Sequence, residues 1–209
     1  MDIIKQLNWR YAVKSFDSSK KVSEEDFNKL LKVIQLSASS YGQQPYQIIN
    51  VTNQSVRESL VEHSFRQDKV ANASHLLVFA ADTTIDDSTV DKYIEKAARV
   101  REVEKESIEG FGGMVKNVYS SMDRDQRTDW AARQAYLALG NLLTACAIME
   151  IDACPMEGLN PAKYDEILGL TEKGLKTYVV VTLGYRTSDD PAQNFAKVRK
   201  DMDELVISI

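Results

Sequence analysis

The segment TDWAARQAYLALGNLLTACAIMEID, residues 128–152, constrains the fold more than any other part of the chain. Its apolar residues face nearly every direction of a helix. The segment therefore predicts a long helix in the centre of a core or at a subunit interface. Thr128 or Asp129 can cap its beginning. Polar residues such as Arg133 and Gln134 interrupt it, which indicates a buried helix and not a membrane span.

Shorter patterns predict further helices around the long one. Ser23 is placed to cap a helix, and Asp26 lies near the position of a capping-box partner. The apolar residues that follow recur with helical spacing at Phe27, Leu30, Leu31 and Ile34. The highly charged residues 86–127 are predicted to be helical, with a mobile excursion at the glycines of GFGG, 110–113.

Apolar runs predict a few strands in one sheet, at residues 47–52, 75–82 and 177–184. The segment ACPMEGLNP, 153–161, is predicted to be a loop. The tail DELVISI, 203–209, is predicted to add a strand to a sheet edge, either its own or a partner's. Helices and strands do not alternate regularly enough for a doubly wound nucleotide fold, so the pattern indicates an α+β protein dominated by helices.

Composition and charge exclude several classes of protein. The 209 residues suit one sizeable core, and a net charge of −5 argues against a nucleic-acid protein with a basic face. Cys146 and Cys154 are expected to be small buried hydrophobes, because two cysteines with two histidines form neither a disulfide framework nor a zinc site. The first residues lack the apolar region of a signal peptide, which predicts a cytoplasmic protein.

The usual nucleotide and hydrolase motifs are absent from the sequence. There is no G-x-G-x-x-G and no G-x-S-x-G. Residues 169–177 approach a P-loop, but the lysine does not follow the second glycine directly and the segment precedes a strand. His75, at the mouth of a strand, is most simply a hydrogen-bonded structural histidine.

Dispersed cations remain as candidates for ligand binding. Arg10 and Lys14 lie near one end of the sequence, and Lys197 and Arg199 lie near the other. If the two pairs converge, they would bind a phosphate, because arginine offers a bidentate fork and lysine a point charge. Each pair alone is more typical of a solvated surface than of a binding site.

The stretch YGQQPYQIINV, residues 41–51, places two amides on a proline turn directly before a strand. Such amides suit a planar polar ligand, or they brace the turn. Gln44 is expected to brace it, and Pro45 to set the direction of the chain into the strand.

Six stretches now make a joint signal: WRYAVKSFD, SASSYGQQPYQI, ASHLLVFAA, DWAARQAYLALGNLL, CPMEGL and FAKVRK. Occurring in this order and at fitting spacing, they resemble the FMN-dependent, oxygen-insensitive NAD(P)H nitroreductase family across nearly the whole chain. The resemblance implies a single α+β domain, 1–209, with a central, mostly antiparallel sheet flanked by helices. It also implies an intertwined homodimer with FMN at the subunit interface. Residues 91–127 would form a lid, and the tail from about 200 to 209 would reach the partner.

The resemblance also implies a set of cofactor-binding residues. Ala12 stands where the family often has serine, and Gly42 where many relatives have asparagine, so two side-chain contacts are expected to be missing. Arg66 or Gln67 falls where relatives carry an asparagine that contacts the flavin ring. The expected FMN contacts are Arg10, Tyr11, Ala12, Lys14, Ala38, Ser39, Ser40, Gly42, Gln67, Lys69, Gln134, Leu137, Pro155, Met156, Glu157, Gly158, Lys197 and Arg199.

Three of these residues are expected to serve the chemistry. Lys14 and Lys69 would stabilise the negative charge that reduced flavin carries near N1 and C2=O. The backbone N–H near Glu157 would face N5, while the Glu157 carboxylate is expected to be structural. Lys197 and Arg199 would hold the phosphate. No metal site is expected.

The implied activity is a ping-pong transfer of two electrons. NADH or NADPH, which the sequence leaves open, would reduce FMN and leave, and a nitroaromatic, quinone or similar conjugated acceptor would follow. Alternatives are a specialised reductase, such as an enone or dihydropteridine reductase, and a non-catalytic flavin-binding protein. Neither a nucleic acid nor a membrane is an expected partner.

Overall fold

The computed structural model describes residues 2–209. Its four strands form one antiparallel sheet in the order β1–β2–β4–β3. The strands are β1 Tyr46–Asn50, β2 His75–Asp82, β3 Asp152–Met156 and β4 Leu175–Gly184. The α-helices of the described residues are α1 Ile3–Trp9, α2 Glu24–Gln35, α3 Gln54–Glu62, α4 Lys69–Asn72, α5 Asp87–Arg101, α6 Glu109–Ser120, α7 Arg124–Ile148, α8 Pro161–Leu168 and α9 Met202–Leu205.

Helices cover both faces of the sheet. On one face, α7 and α2 pack against β2 and β4, and their cluster includes Leu30, Leu142 and Phe79. On the other face, α3 and α8 supply Leu60 and Tyr164 to a second cluster. Because β2 and β4 are covered on both sides, their central residues are apolar almost without interruption.

The long buried helix is confirmed, but its predicted beginning is wrong. Helix α7 begins at Arg124, where Asp123 and Gln126 form a reciprocal capping box. Thr128 lies inside the helix, and its hydroxyl donates to the carbonyl of Arg124 at 2.9 Å. The Asp129 carboxylate accepts a hydrogen bond from Tyr178 at 3.0 Å. Thr128 and Asp129 therefore use their side chains for these hydrogen bonds, and neither of them caps the helix.

The predicted loop at 153–161 is partly wrong, because residues 152–156 form the edge strand β3. Pro155 is tolerated there since an edge strand does not need every N–H for pairing. Ala12 makes a parallel bridge to Ala153. The N-terminal segment therefore lies along the outer side of this strand.

The glycines at 110–113 lie inside α6, so the helix continues through the predicted excursion, and its mobility stays a prediction. A Cβ on Gly112 would approach Ile94 Cγ1 at 3.0 Å, so glycine lets α6 lie close to α5. The tail forms the short helix α9, and residues 206–209 are exposed and pair with no strand of the described chain.

Several local predictions are confirmed. The Ser23 hydroxyl accepts the N–H of Asp26 at 3.1 Å. Strand β2 has the predicted bounds, and β1 and β4 shift by one or two residues. Cys146 and Cys154 are free and buried, and burial raises the pKa of Cys146 to about 12. His75 stacks on Phe27 with ring centroids 3.8 Å apart, and burial lowers its pKa. Within residues 2–209, none of the helices could span a bilayer.

Candidate functional site

The two distant pairs of cations converge on one cavity of about 370 Å³, called here the Arg199 cavity. Arg10, Lys197 and Arg199 line it, and Lys197 Nζ donates to the backbone carbonyl of Arg10. Burial, then the charge of Arg199, lowers the pKa of Arg10. Burial, then the charges of Arg10 and Arg199, lowers the pKa of Lys197. The three side chains thus form a crowded positive site.

No carboxylate among residues 2–209 lies within 4.0 Å of these three cations. Tyr11, Ala12 and Lys14 complete the N-terminal side of the cavity. An uncompensated group of two guanidinium ions and one ammonium ion is suited to a phosphate, which accepts several charge-assisted hydrogen bonds.

A buried carboxylate holds the two sides of this cavity together. Asp190 is 1% exposed and accepts the backbone N–H groups of Lys14, Ser15 and Ala192 at 2.7, 2.9 and 2.9 Å. Desolvation acts to raise the pKa of Asp190, but these backbone hydrogen bonds outweigh it and the pKa is lowered. Asp190 has no sequence signal of its own beyond the turn signal of the following Pro191, so it was not among the predicted site residues.

We expect Asp190→Ala to lower the free energy of unfolding by about 1.5–3 kcal/mol at pH 7, because buried N–H groups lose a charged acceptor. The folded pKa lies below the unfolded one, so this stabilisation is present above the unfolded pKa of about 3.9 and is lost as pH falls through the folded value. Urea unfolding of the wild type and of Asp190→Ala, at pH values from 7 to 3, measures the difference in their free energies of unfolding. We expect this difference to narrow as the pH falls. The exposed neighbour Asp189→Ala is the control. A difference that does not narrow in acid contradicts this role.

Lys14 also borders a second cavity of about 320 Å³, called here the Lys69 cavity. Gln67 and Lys69 line it, together with Arg66 and Asp68. Lys69 is 7% exposed and has no carboxylate within 4.0 Å among the described residues. A buried lysine without an ionic partner is costly unless it meets an acceptor, which marks this cavity as a place for one.

Arg57 positions the helix that carries Lys69. Its buried guanidinium donates to the carbonyls of Val70, Ala73 and Ser74 at 2.9, 2.6 and 3.3 Å. These bonds fix the end of α4 and the turn after it. No sequence signal marks Arg57, because all its acceptors are backbone atoms.

The end of β3 reaches the Lys69 cavity through Gln67. Gln67 Nε2 donates to the carbonyls of Ser64 and Gly158 at 3.0 and 3.1 Å. Phe65 and Arg66 adopt left-handed backbone, with φ of 50° and 57°, so the turn before Gln67 holds strain. The structure thereby brings Gly158 next to Gln67. Arg66 instead points to Glu62, at 3.6 Å.

The Glu157 carboxylate is occupied by a neighbour on the long helix. Tyr136 Oη donates to Glu157 Oε1, and burial, then this hydrogen bond, raises the pKa of Tyr136. The backbone N–H of Glu157 has no acceptor within the described residues. This arrangement favours a working role for the backbone N–H and a structural role for the side chain.

Ten expected contact residues line neither the Arg199 nor the Lys69 cavity: Ala38, Ser39, Ser40, Gly42, Gln134, Leu137, Pro155, Met156, Glu157 and Gly158. Gln134 Oε1 accepts the N–H of Ser40 at 2.8 Å, while its Nε2 donates to the carbonyl of Trp130 at 3.1 Å. Gln134 therefore supports the 38–42 turn from α7. Leu137, also on α7, is 54% exposed.

The turn itself is held as predicted. Gln44 Nε2 donates to the carbonyl of Gln35 at 2.9 Å, and its N–H donates to Ser39 Oγ at 3.0 Å. Gly42 has φ of 71°, and a Cβ there would lie 2.6 Å from Tyr93 Oη. Glycine is favoured because the backbone is left-handed and Tyr93 of α5 occupies the space that a side chain would take.

The chain is similar over its whole length to known proteins. The sequence profile of the Nitroreductase family matches residues 7–185. The major NAD(P)H-flavin oxidoreductase of Aliivibrio fischeri is 32% identical over 211 residues, covering 98% of this chain and 97% of the relative. The oxygen-insensitive NAD(P)H nitroreductase of Enterobacter cloacae is 30% identical over 214 residues, covering 99% of each.

A solved structure shares the fold. A nitroreductase from Exiguobacterium sibiricum in complex with FMN matches with a TM-score of 0.83 at 15% identity, covering 100% of this chain and 98% of the other. The predicted α+β fold with a central antiparallel sheet flanked by helices is thus confirmed.

Proposed function

The chain belongs to the nitroreductase family and is an NAD(P)H-dependent flavin oxidoreductase, and we propose that it reduces nitroaromatics, quinones or similar conjugated acceptors by ping-pong transfer of two electrons. The observation that carries this proposal is the convergence of Arg10, Lys197 and Arg199 beside the Lys69 cavity.

FMN fits the two cavities. Lys14 borders both, so a ligand that extends past it can place a phosphate among the three cations and a polar ring beside Lys69. When bound, FMN supplies an acceptor and donor of hydride that the protein's side chains lack.

The residues of the chain would hold and tune that ring. Lys14 and Lys69 favour negative charge beside them, which supports a ligand that becomes anionic on reduction. Gln67 Nε2 is already bonded to backbone carbonyls, so its Oε1 is the atom left to accept from a ring N–H. The free N–H of Glu157 can donate to a ring nitrogen on the same side.

We further propose a homodimer in which the 38–42 turn completes the partner's site. Ser40 and Gly42 lie outside both cavities of their own chain. Exposed apolar side chains are available for burial in an interface, among them Leu36 at 72%, Leu137 at 54% and Ile207 at 82% exposure. The exposed 206–209 tail would then pair with the partner.

We also propose that the protein is cytoplasmic, because both nicotinamide nucleotides are supplied there. A specialised enone or dihydropteridine reductase differs only in its acceptor, and a flavin-binding protein without turnover is the remaining alternative. One experiment separates these functions.

The purified chain is expected to be yellow and to release FMN on denaturation. Without oxygen, NADH or NADPH should bleach the colour, and a quinone or nitroaromatic should restore it. Absorbance near the flavin maximum measures each step, and free FMN without protein is the control. A protein that takes up no FMN overturns the proposal. A yellow protein that neither nucleotide bleaches leaves only the binding function, and reoxidation by enones or dihydropteridines alone identifies a specialised reductase.

A further inference from the structure

A third cavity, of about 500 Å³, lies between the 42–44 turn and helix α5 and is called here the α5 cavity. The basic side chains Lys92, Lys96 and Arg101 line it. Lys92 and Lys96 are four residues apart, so they lie on one face of the helix. Arg101 is in the last turn, where the helix dipole favours a cation.

These three cations have no carboxylate within 4.0 Å among residues 2–209. Two acidic residues of α5 are paired elsewhere, since Asp91 contacts Lys116 at 2.6 Å and Glu95 contacts Lys105 at 3.5 Å. The cavity therefore has an excess of positive charge.

One carboxylate does lie on the cavity wall, but it is engaged. Asp82 Oδ1 accepts the N–H and the hydroxyl of Thr84, both at 2.7 Å. Asp82 is paired with none of the three cations, and one negative charge against three positive charges leaves the cavity positive.

The turn side of the cavity carries an unsatisfied amide. Both Nε2 and Oε1 of Gln43 are buried without a hydrogen-bond partner in the described chain. The turn that holds Gln43 is left-handed at Tyr41, Gly42 and Gln44, with φ of 57°, 71° and 45°. A buried amide with neither atom bonded, kept in place by a strained turn, points to a ligand that donates and accepts there.

We propose that the α5 cavity binds an anionic group, a phosphate or carboxylate, of a substrate that reacts at the flavin. This rests on the proposed function, in which the 38–42 turn borders a flavin. Two sources have this chemistry: the 2′-phosphate that distinguishes NADPH from NADH, and an acid group on the acceptor. Lys92 and Lys96 hold the anion, and Gln43 bonds the polar atoms next to it.

The test compares two double variants of equal charge change. Lys92→Gln with Lys96→Gln removes two cavity cations, and Lys21→Gln with Lys173→Gln removes two exposed lysines elsewhere. Calorimetry measures binding of NADP⁺, NAD⁺, 4-nitrobenzoate and 4-nitrobenzamide to the flavin-loaded protein. We expect the cavity variant to raise the dissociation constant of one ligand, NADP⁺ or 4-nitrobenzoate, at least about 10-fold and to leave that of its counterpart without the extra acid group, NAD⁺ or 4-nitrobenzamide, unchanged.

The affected pair identifies the source of the anion. A selective loss for NADP⁺ assigns the 2′-phosphate, and a selective loss for 4-nitrobenzoate assigns the acceptor. Equal changes for all four ligands, no measurable binding of any, or the same loss in the control variant overturns the proposal.

Gln43→Met supplies an independent readout. Removing an unsatisfied buried amide is expected to keep or raise the melting temperature, while binding of the same acid-bearing ligand weakens. Unchanged binding with a raised melting temperature shows that the amide has no ligand and contradicts its part in the proposal. FMN content and bleaching by NADH, measured on the same preparations, report the proposed function separately. A preparation that holds no FMN contradicts the proposed function, whereas flavin-loaded protein that NADH bleaches but that shows no selective loss contradicts only the proposal for the α5 cavity.

Discussion

Asp152→Ala is expected to lower the free energy of unfolding by about 3–5 kcal/mol, the usual effect of removing one partner of a buried ion pair. The Asp152 side chain is 4% exposed and that of Arg186 is 18% exposed. Asp152 accepts both the side-chain Nε and the backbone N–H of Arg186, at 2.9 and 2.7 Å. Without the carboxylate, a mostly buried guanidinium and a backbone donor both lose their acceptor.

The surroundings of Arg186 make it difficult for water to replace the lost carboxylate as a hydrogen-bond acceptor. Its guanidinium carbon lies 4.3 Å from the ring centroid of Trp9 and 4.5 Å from that of Tyr11. Since Tyr11 also lines the Arg199 cavity, the lost ion pair should loosen the N-terminal wall of that cavity.

Urea unfolding monitored by fluorescence measures the effect of Asp152→Ala. Glu166→Ala is the matched control, because it breaks the exposed pair with Lys163 at 2.6 Å and should change stability only slightly. Asp152→Asn, which keeps the shape without the charge, should fall between the wild type and the alanine variant. Equal stability of the Asp152 and Glu166 variants would falsify the stabilising role given to the buried pair.

Arg199→Ala is expected to weaken FMN binding by about 1.5–3 kcal/mol, because the phosphate loses a charge-assisted hydrogen bond. The arginine lines the cavity with Arg10 and Lys197, and no carboxylate of the described chain competes for it. The remaining two cations should keep the site functional at high FMN concentration.

Fluorescence titration of FMN into flavin-stripped protein measures this affinity. Lys200→Ala removes the adjacent exposed charge and is the control for long-range attraction. Raising the salt concentration should weaken FMN binding to both variants. It should also reduce the effect of Lys200→Ala, because that exposed charge acts on FMN only by long-range attraction. If Arg199→Ala and Lys200→Ala bind FMN alike, the phosphate does not lie in the Arg199 cavity.

The sequence predicts best those helices and strands that are determined by residues close together in the chain. Ser23 caps α2 because its hydroxyl meets a nearby N–H, and β2 is an unbroken apolar run. Strand β3 was missed because Pro155 and Gly158 look like loop residues, and only pairing with β4 makes residues 152–156 a strand. The beginning of α7 was missed because its first turn is polar and several residues nearby are equally good caps.

The residues of the candidate site also fall into those with a local signal in the sequence and those without one. The cation pairs were visible in the sequence, but whether Arg10 meets Arg199 depends on the path of the chain between them. Asp190 and Arg57 were missed because all but one of their backbone partners lie 13 to 176 positions away and have no side-chain signature; the exception is Ala192, two positions from Asp190. Interactions of this kind decide where Lys14 and Lys69 lie, so the geometry of the site comes from tertiary structure.

The hydrogen bond from Lys197 to Arg10 joins residues 187 positions apart. All four strands of the sheet precede Lys197 in the chain, whereas Arg10 and Lys14 precede the first strand. The Arg199 cavity is therefore complete only when segments from before and after the sheet meet. A chain shortened after β4 would contain all four strands but would lack Lys197 and Arg199, two of the three cations proposed to hold the phosphate of the cofactor.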